Sequence, residues 1–238
     1  MKLSIIVPAL NEAGGIEAAL RPMQAWRGTG CEVIVVDGGS SDATAALAQP
    51  LADRVISAAR GRARQMNAGA AVATGSVLWF VHADTLPPEA APTAILAALA
   101  LSDPLVPTVS RRHAGSKKCW GRFDVAITGA SLMFGVIGWC MNRRSRLTGI
   151  ATGDQALFMT RAAFDAAGGF PDQPLMEDIG MSQRLKRLGR PACLTHKVTT
   201  SGRRWERRGV WRTIWLMWRL RLAYFFGASP EYLAARYR

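Results

Sequence analysis

Val77-Leu78-Trp79-Phe80-Val81-His82-Ala83-Asp84 is the stretch whose reading decides the fold. Its five leading apolar residues, rich in β-branched and aromatic types, read as a buried strand of a parallel sheet. His82 and Asp84 fall where that strand should end, and Pro87-Pro88 stops it. Ligands of open α/β sheets sit at the carboxyl ends of the strands. A carboxylate there is suited to hold a hard cation and, through it, phosphates. Asp84 reads equally as a cap for the helix beginning near Pro88, and the stretch alone leaves both roles open.

Upstream, Leu3 to Val7 reads as a first strand closed by Pro8, followed by the loop Ala9-Leu10-Asn11-Glu12. A helix is expected from about Gly14 to Trp26, with Pro22 as a kink or restart. Cys31 to Val36 is a second buried strand, ending in Asp37-Gly38-Gly39-Ser40-Ser41-Asp42. That turn supplies glycines for tight geometry and a serine N-cap for a short helix over Ala43 to Ala48. A weaker strand, Arg54 to Ser57, precedes a helix from Gly61 to Ala73 that carries Arg62, Arg64 and Asn67. Strands alternating with helices at this spacing indicate a doubly wound, mostly parallel α/β sheet. Its strand-end loops would bring Asn11, Glu12, Asp37, Arg62, Arg64 and Asp84 to one crevice. No G-x-G-x-x-G follows the first strand, and no G-x-x-x-x-G-K-[ST] occurs, so the dinucleotide and P-loop readings lose their fingerprints.

Downstream, the expectations are an Ala-rich helix over Ala94 to Leu101 and strands over Leu105 to Val109 and Trp120 to Ile127. The uncharged run from Val125 to Met141 reads as a helix on the core or against lipid, and Arg143, Arg144 and Arg146 as a basic loop. Gly153-Asp154-Gln155 precedes a strand from Ala156 to Thr160, and Glu177-Asp178 opens a helix reaching Leu188. Paired carboxylates at a helix N-terminus suit acid–base chemistry, and the helix dipole favours them there regardless.

The 238 residues suggest one large domain or one with an appendage, and the formal charge of +13 calls for an anionic partner: nucleic acid, lipid headgroups or a phosphate-rich substrate. The four cysteines are far apart, which argues against a zinc site or disulfide frame. Met1-Lys2-Leu3-Ser4 runs directly into a strand without the features of a signal peptide, so a cytoplasmic location is expected.

Together, Ser4 to Glu12, Val33 to Asp42, Arg64 to Gly69, His82-Ala83-Asp84, Gly153-Asp154-Gln155 and Glu177-Asp178 occur in an order that resembles the family 2 glycosyltransferases, which have a GT-A fold. The likeness covers Lys2 to Leu194 and is nearest to a bacterial subgroup with the His-Ala-Asp form. The resemblance implies that Pro8, Ala9, Asn11, Glu12 and Asp37 contact the base and ribose of a sugar nucleotide, a UDP-sugar being favoured. His82 would sit at the ribose or metal, and Arg64 near the diphosphate. Asp84 would ligate Mn²⁺ or Mg²⁺ bridging the phosphates, and Asp178, or Glu177, would be the general base of an inverting transfer. Asp154 and Gln155 would lie near acceptor or donor. Arg204-Trp205 resembles an element of processive relatives in which arginine approaches the diphosphate and tryptophan lines the acceptor site. One departure stands out: His82 replaces the first carboxylate of the usual Asp-x-Asp, which brings less negative charge to a metal.

In the expected division, residues 1–205 form the transferase domain and 206–238 an amphipathic helical tail. Within the tail, Trp211, Trp215, Trp218 and Leu222 share a stripe at spacings of four, three and four. Interspersed arginines, at about 2.5–3.5 kcal/mol each in mid-bilayer, argue against a span. A helix lying in the membrane interface fits, and so does one packing on the core. The expected setting is therefore the cytoplasmic face of the inner membrane, peripherally bound to its anionic surface, with a lipid-linked or amphipathic acceptor. Nucleotidyl transfer uses the same metal–phosphate logic and is the enzyme alternative. Nucleic-acid binding leaves Asp37, Asp84, Asp154, Glu177 and Asp178 unexplained, since clustered carboxylates repel phosphate unless a metal intervenes.

Overall fold

Four strands, β1 (Leu3–Ala9), β2 (Cys31–Asp37), β3 (Arg54–Ser57) and β4 (Val77–Phe80), pair in parallel in the order β3-β2-β1-β4. β1 is buried along its whole length and β4 likewise, as expected of strands covered on both faces. Side chains alternate across the sheet. Leu3, Ile5, Val7, Val33 and Trp79 enter one core, whereas Ile6, Ile34, Val36, Leu78 and Phe80 enter the other. Trp79 lies between Trp26 and Phe123 at ring-centroid distances of 5.8 and 5.6 Å, and Phe158 continues this row. The structure, a computed structural model, describes residues 2–100 and 118–237.

Between these strands lie α1 (Ile16–Leu20), α2 (Thr44–Ala48) and α3 (Arg62–Val72). At Pro22 the expected restart takes the form of a tighter helical turn over Arg21–Trp26. After β4 come a two-residue strand β5 (Thr85–Leu86) and α4 (Ala91–Ala100). The strand expected over Leu105 to Val109 lies outside the described residues.

The second half continues the sheet with mixed polarity. β6 (Trp120–Thr128), α5 (Met133–Thr148), β7 (Phe158–Thr160), α6 (Arg161–Ala166), α7 (Glu177–Leu188) and β8 (Ala192–Ser201) follow in order. β7 runs antiparallel between β4 and β6, β8 is parallel to β6, and β5 closes the edge antiparallel to β8. The described sheet is thus an eight-stranded mixed one in the order β3-β2-β1-β4-β7-β6-β8-β5.

Two expectations need correction here. The uncharged run 125–141 is not one helix: Val125 to Thr128 extend β6, and the helix begins at Met133. Gly129, at φ 143°, makes the break. Arg143, Arg144 and Arg146 are not a loop but the last turns of α5, which ends at the left-handed Gly149.

The chain ends in α8 (Arg203–Arg208), α9 (Val210–Phe225) and α10 (Pro230–Tyr237). Leu220 of α9 and Leu233 of α10 pack on Met176 and Ile179, at the start of α7. The tryptophan stripe is not the packed face: Trp211, Trp215, Trp218 and Leu222 are all exposed, as are Phe225 and Phe226. The core-packing reading of that stripe is therefore overturned, and the helix packs through its opposite side. Among the described residues, no helix is long and apolar enough to cross a membrane.

Candidate active site

Pro8 and Ala9 at the end of β1, and His82 to Asp84 just after β4, border one cleft. Its other walls come from the start of α3, from Thr152–Asp154, from the start of α7, and from α9 and α10. The crossovers put these segments together because parallel strands end on the same edge of the sheet.

At the start of α7 the chain turns through Met176, held at φ 66°. A left-handed conformation is unusual for a side chain of this size and costs backbone energy. It delivers Glu177 and Asp178 into the cleft as the first residues of the helix. Asp178 is pinned by both oxygens: Oδ1 accepts the Ile179 N–H at 2.7 Å and Oδ2 the Gly153 N–H at 2.8 Å. Burial pushes both acids above the usual carboxylate range. For Glu177 the neighbouring Asp178 adds to the rise; for Asp178 the Asp154 charge adds to it, against the two N–H bonds and Arg62. Both groups therefore hold a proton more readily than a solvated acid does.

His82 is buried, with Nδ1 3.4 Å from Asp154 Oδ1. A Cβ on Gly153 would lie 2.3 Å from its Cε1 and 2.4 Å from its Nε2. Only glycine lets the backbone approach the imidazole this closely. His82 is thus a brace beneath the Gly153–Asp154 turn, the same turn whose N–H fixes Asp178.

Arg62, at the first position of α3, faces this group of acids. Its side chain still reaches solvent; crowding by the surrounding protein works against its charge, but Glu177, Asp154, Tyr237 and Asp178 outweigh that and raise its pKa. Sequence reasoning placed Arg62 only among strand-end residues and chose Arg64 for the diphosphate. Arg64, two residues on, points outward and pairs with Asp172, its Nε 2.9 Å from Oδ1, and does not line the cleft. A helix turns 100° per residue, so neighbours two apart face opposite ways.

The other proposed residues divide similarly. Pro8, Ala9, Glu12, His82, Asp84, Asp154, Glu177, Asp178 and Trp205 all line the cleft. Asn11, at φ 54°, does not: its Oδ1 accepts the Ser41 N–H at 2.9 Å and its own N–H reaches Ser40 Oγ at 2.9 Å. Asp37 is buried and accepts the Gly39 and Ser40 N–H groups, both at 3.0 Å. These two stitch the loops after β1 and β2 into a rigid floor. Gln155 is fully buried, with Oε1 accepting the Thr152 N–H at 3.2 Å and Nε2 donating to Asn142 Oδ1 at 3.3 Å. It holds the turn from behind. Arg204 lies within α8, and its side chain is outside the described set.

Several cleft residues carried no site role in the sequence reading. Gln65 donates from Nε2 to Ala9 O and to Val36 O, each at 2.8 Å, and so locks the ends of β1 and β2 together. Thr213, Met217 and Arg221 line the cleft from α9, and Tyr237 from α10. Their spacing of four is a helical signal, but the louder tryptophan stripe on the other face concealed it.

Among the described residues no three His, Cys, Asp or Glu side chains form a ready-made metal cage. Asp84 nevertheless fits Mn²⁺ or Mg²⁺ of the kind shared with a substrate, because such ions are commonly held by one or two carboxylates plus phosphate oxygens.

Residues 4–159 match the model of glycosyl transferase family 2, and the chain belongs to this enzyme family. Its fold is that of the GT-A glycosyltransferases among solved structures. A mannosyltransferase from Pyrobaculum calidifontis in complex with GDP-Man and Mn²⁺ is 23% identical, with TM-score 0.62 over 93% of this chain and 61% of that one. TarS 1-349 of S. aureus in complex with UDP-GlcNAc is 17% identical, with TM-score 0.64 over 84% and 58%. Glucosyl-3-phosphoglycerate synthase from Mycobacterium tuberculosis, in complex with Mn²⁺, UDP and glucosyl-3-phosphoglycerate, is 19% identical, with TM-score 0.58 over 84% and 70%. The chain thus spans about three-fifths of the first two structures. No curated protein matches it in sequence.

Proposed function

We propose that this chain is an inverting glycosyltransferase that moves a sugar from a nucleotide-diphosphate sugar, a UDP-sugar in the favoured case, to an acceptor hydroxyl. The observation that carries the reading is the pinned Asp178 carboxylate sharing one cleft with Asp84. Asp178 takes the proton of the attacking hydroxyl, and its raised proton affinity suits a base working near neutral pH. Glu177 beside it is the reserve candidate for that role. Arg62 balances the acids, so that at least one stays ionised when the anionic donor is bound. Asp84 would hold Mn²⁺ or Mg²⁺ with the donor phosphates, and the ion would stabilise the departing diphosphate. His82 and Asp154 keep the Gly153 N–H aimed at the base. Trp205 and Met217 supply the apolar wall for the acceptor, and Arg204 stands in the chain where a diphosphate contact is proposed.

The setting we infer is an anionic membrane face, with a lipid-linked or amphipathic acceptor. The exposed face of α9 supports this: Trp218 is 75% exposed, Trp215 64%, and Arg219 stacks on the Trp215 ring at 4.5 Å. Tryptophan with arginine on one solvent-facing helix side is the composition of an interfacial helix.

Calorimetric titration with UDP, and with GDP beside it, in the presence and absence of Mn²⁺ tests the donor site. Manganese-dependent binding of UDP that vanishes in Asp84→Ala is the expected result. Preferential GDP binding would change the donor base, and binding of neither nucleotide to folded protein would overturn the donor site proposed at Asp84.

A further inference from the structure

A second groove lies on the flank of the molecule, between α5 and the strand pair β6–β8. Its floor is open because α5 carries glycine at 135 and 138: a Cβ at Gly135 would meet nothing within 4 Å, and one at Gly138 only the Val125 carbonyl at 3.1 Å. Ile127, Phe134 and Trp139 make the end nearer the active cleft apolar, and Ile127 lines both cavities. Trp139 is 65% exposed among the described residues, so a large apolar ring faces outward at this end.

The far end is basic. Lys197 stands beside Asp124 in the β6–β8 register, and Arg143 and Arg146 approach from α5. Asp124 cannot balance these charges. It is already bound by the buried Arg122 and by both terminal nitrogens of Arg146, at 2.7 and 2.8 Å. Arg143 and Lys197 are exposed and, among the described residues, belong to no ion pair. The groove is therefore apolar at one end and carries uncompensated positive charge at the other.

We propose that this groove is a binding site for an anionic phospholipid, its phosphate on Arg143 and Lys197 and the first methylenes of its chain over Gly135 and against Trp139. Charge complementarity selects the ligand class. A free phosphate leaves the apolar end unfilled, an uncharged lipid leaves the cations unpaired, and lysine and arginine near a membrane surface are drawn to anionic headgroups. The site is independent of sugar transfer and of the α9 surface.

The test uses the whole chain and monomeric dihexanoyl-phosphatidylglycerol, kept below its micelle concentration so that no bilayer is present for α9. Saturable binding by calorimetry is expected, at least tenfold tighter than that of dihexanoyl-phosphatidylcholine or of glycerol phosphate. Arg143→Glu/Lys197→Glu should lose tenfold or more. Gly135→Leu, which fills open space on a helix, should lose as much while its melting temperature is kept. Equal affinity for all three probes would overturn the proposal, as would glycerol phosphate binding as tightly as the lipid. So would phosphatidylglycerol affinity that neither variant alters.

Discussion

Asp178 owes its properties to two backbone N–H groups and to crowding by other acids, so its predictions are local ones. Asp178→Asn should lower kcat by about 10²–10⁴-fold, the range of a lost general base, with nucleotide affinity retained in calorimetry. Because burial first and Asp154 second raise its pKa, the rise of kcat/KM with pH should fall above the usual carboxylate range. Stability follows the opposite slope. Glu177, raised by burial and by Asp178, binds its proton more tightly folded than unfolded, so stability falls as pH rises from the ordinary carboxylate value through the raised one. Glu177→Gln should therefore melt higher than wild type at neutral pH, and the gap should close below that window in thermal scans. Gly153→Ala forces a methyl into the His82 ring. The turn must shift, and a displacement near 1 Å is worth about 10²-fold in kcat, with a much smaller change in melting temperature. Asp84, Glu177 and Asp178 each had a capping or helix-dipole explanation in the sequence, so only the order of the motifs brought them forward together, and all three line the cleft. The sequence did not separate Arg62 from Arg64, since the exact phase of a helix start decides which of them faces the cleft.

At the level of elements, the parallel half was legible because its strands are continuous apolar runs bounded by glycine and proline. β8 was not. Along Thr195-His196-Lys197 it is exposed, and only Val198 and Thr200 of its ten residues are buried, so no period of two announces it. α9 was legible as a helix but misleading as to its inner face, since the seam runs through Leu216, Leu220 and Ala223 and not through the tryptophans. Leu233, fully buried between α9, α10 and α7, offers the test of that seam. Leu233→Ala should cost about 2–5 kcal/mol of packing. Limited proteolysis should then release a fragment beginning near Gly209, and transfer activity should fall with it because Thr213, Met217, Arg221 and Tyr237 leave the cleft wall.

For the whole molecule, the charge of +13 and the exposed aromatic face of α9 make one joint prediction. Sedimentation with phosphatidylglycerol vesicles should pull the protein down at low salt and release it as ionic strength rises, since the Debye length shrinks to about 8 Å at 0.15 M. Trp211→Ser/Trp215→Ser/Trp218→Ser should weaken sedimentation markedly, the groove beside α5 accounting for what remains, while leaving UDP binding intact. Failure of the wild type to sediment with anionic vesicles at low salt would remove the membrane setting and leave the donor site untouched. α9 also has a geometric consequence. Its cleft-lining residues and its tryptophans lie on different sides of a single helix, and a helix with side chains is about 10–12 Å across. When those tryptophans rest at a lipid surface, the helix becomes a spacer of fixed thickness. On the proposed function it would select acceptors by reach: a hydroxyl would have to stand clear of the headgroups by up to about one helix diameter to meet Asp178, whatever the chemistry of the chain that anchors it.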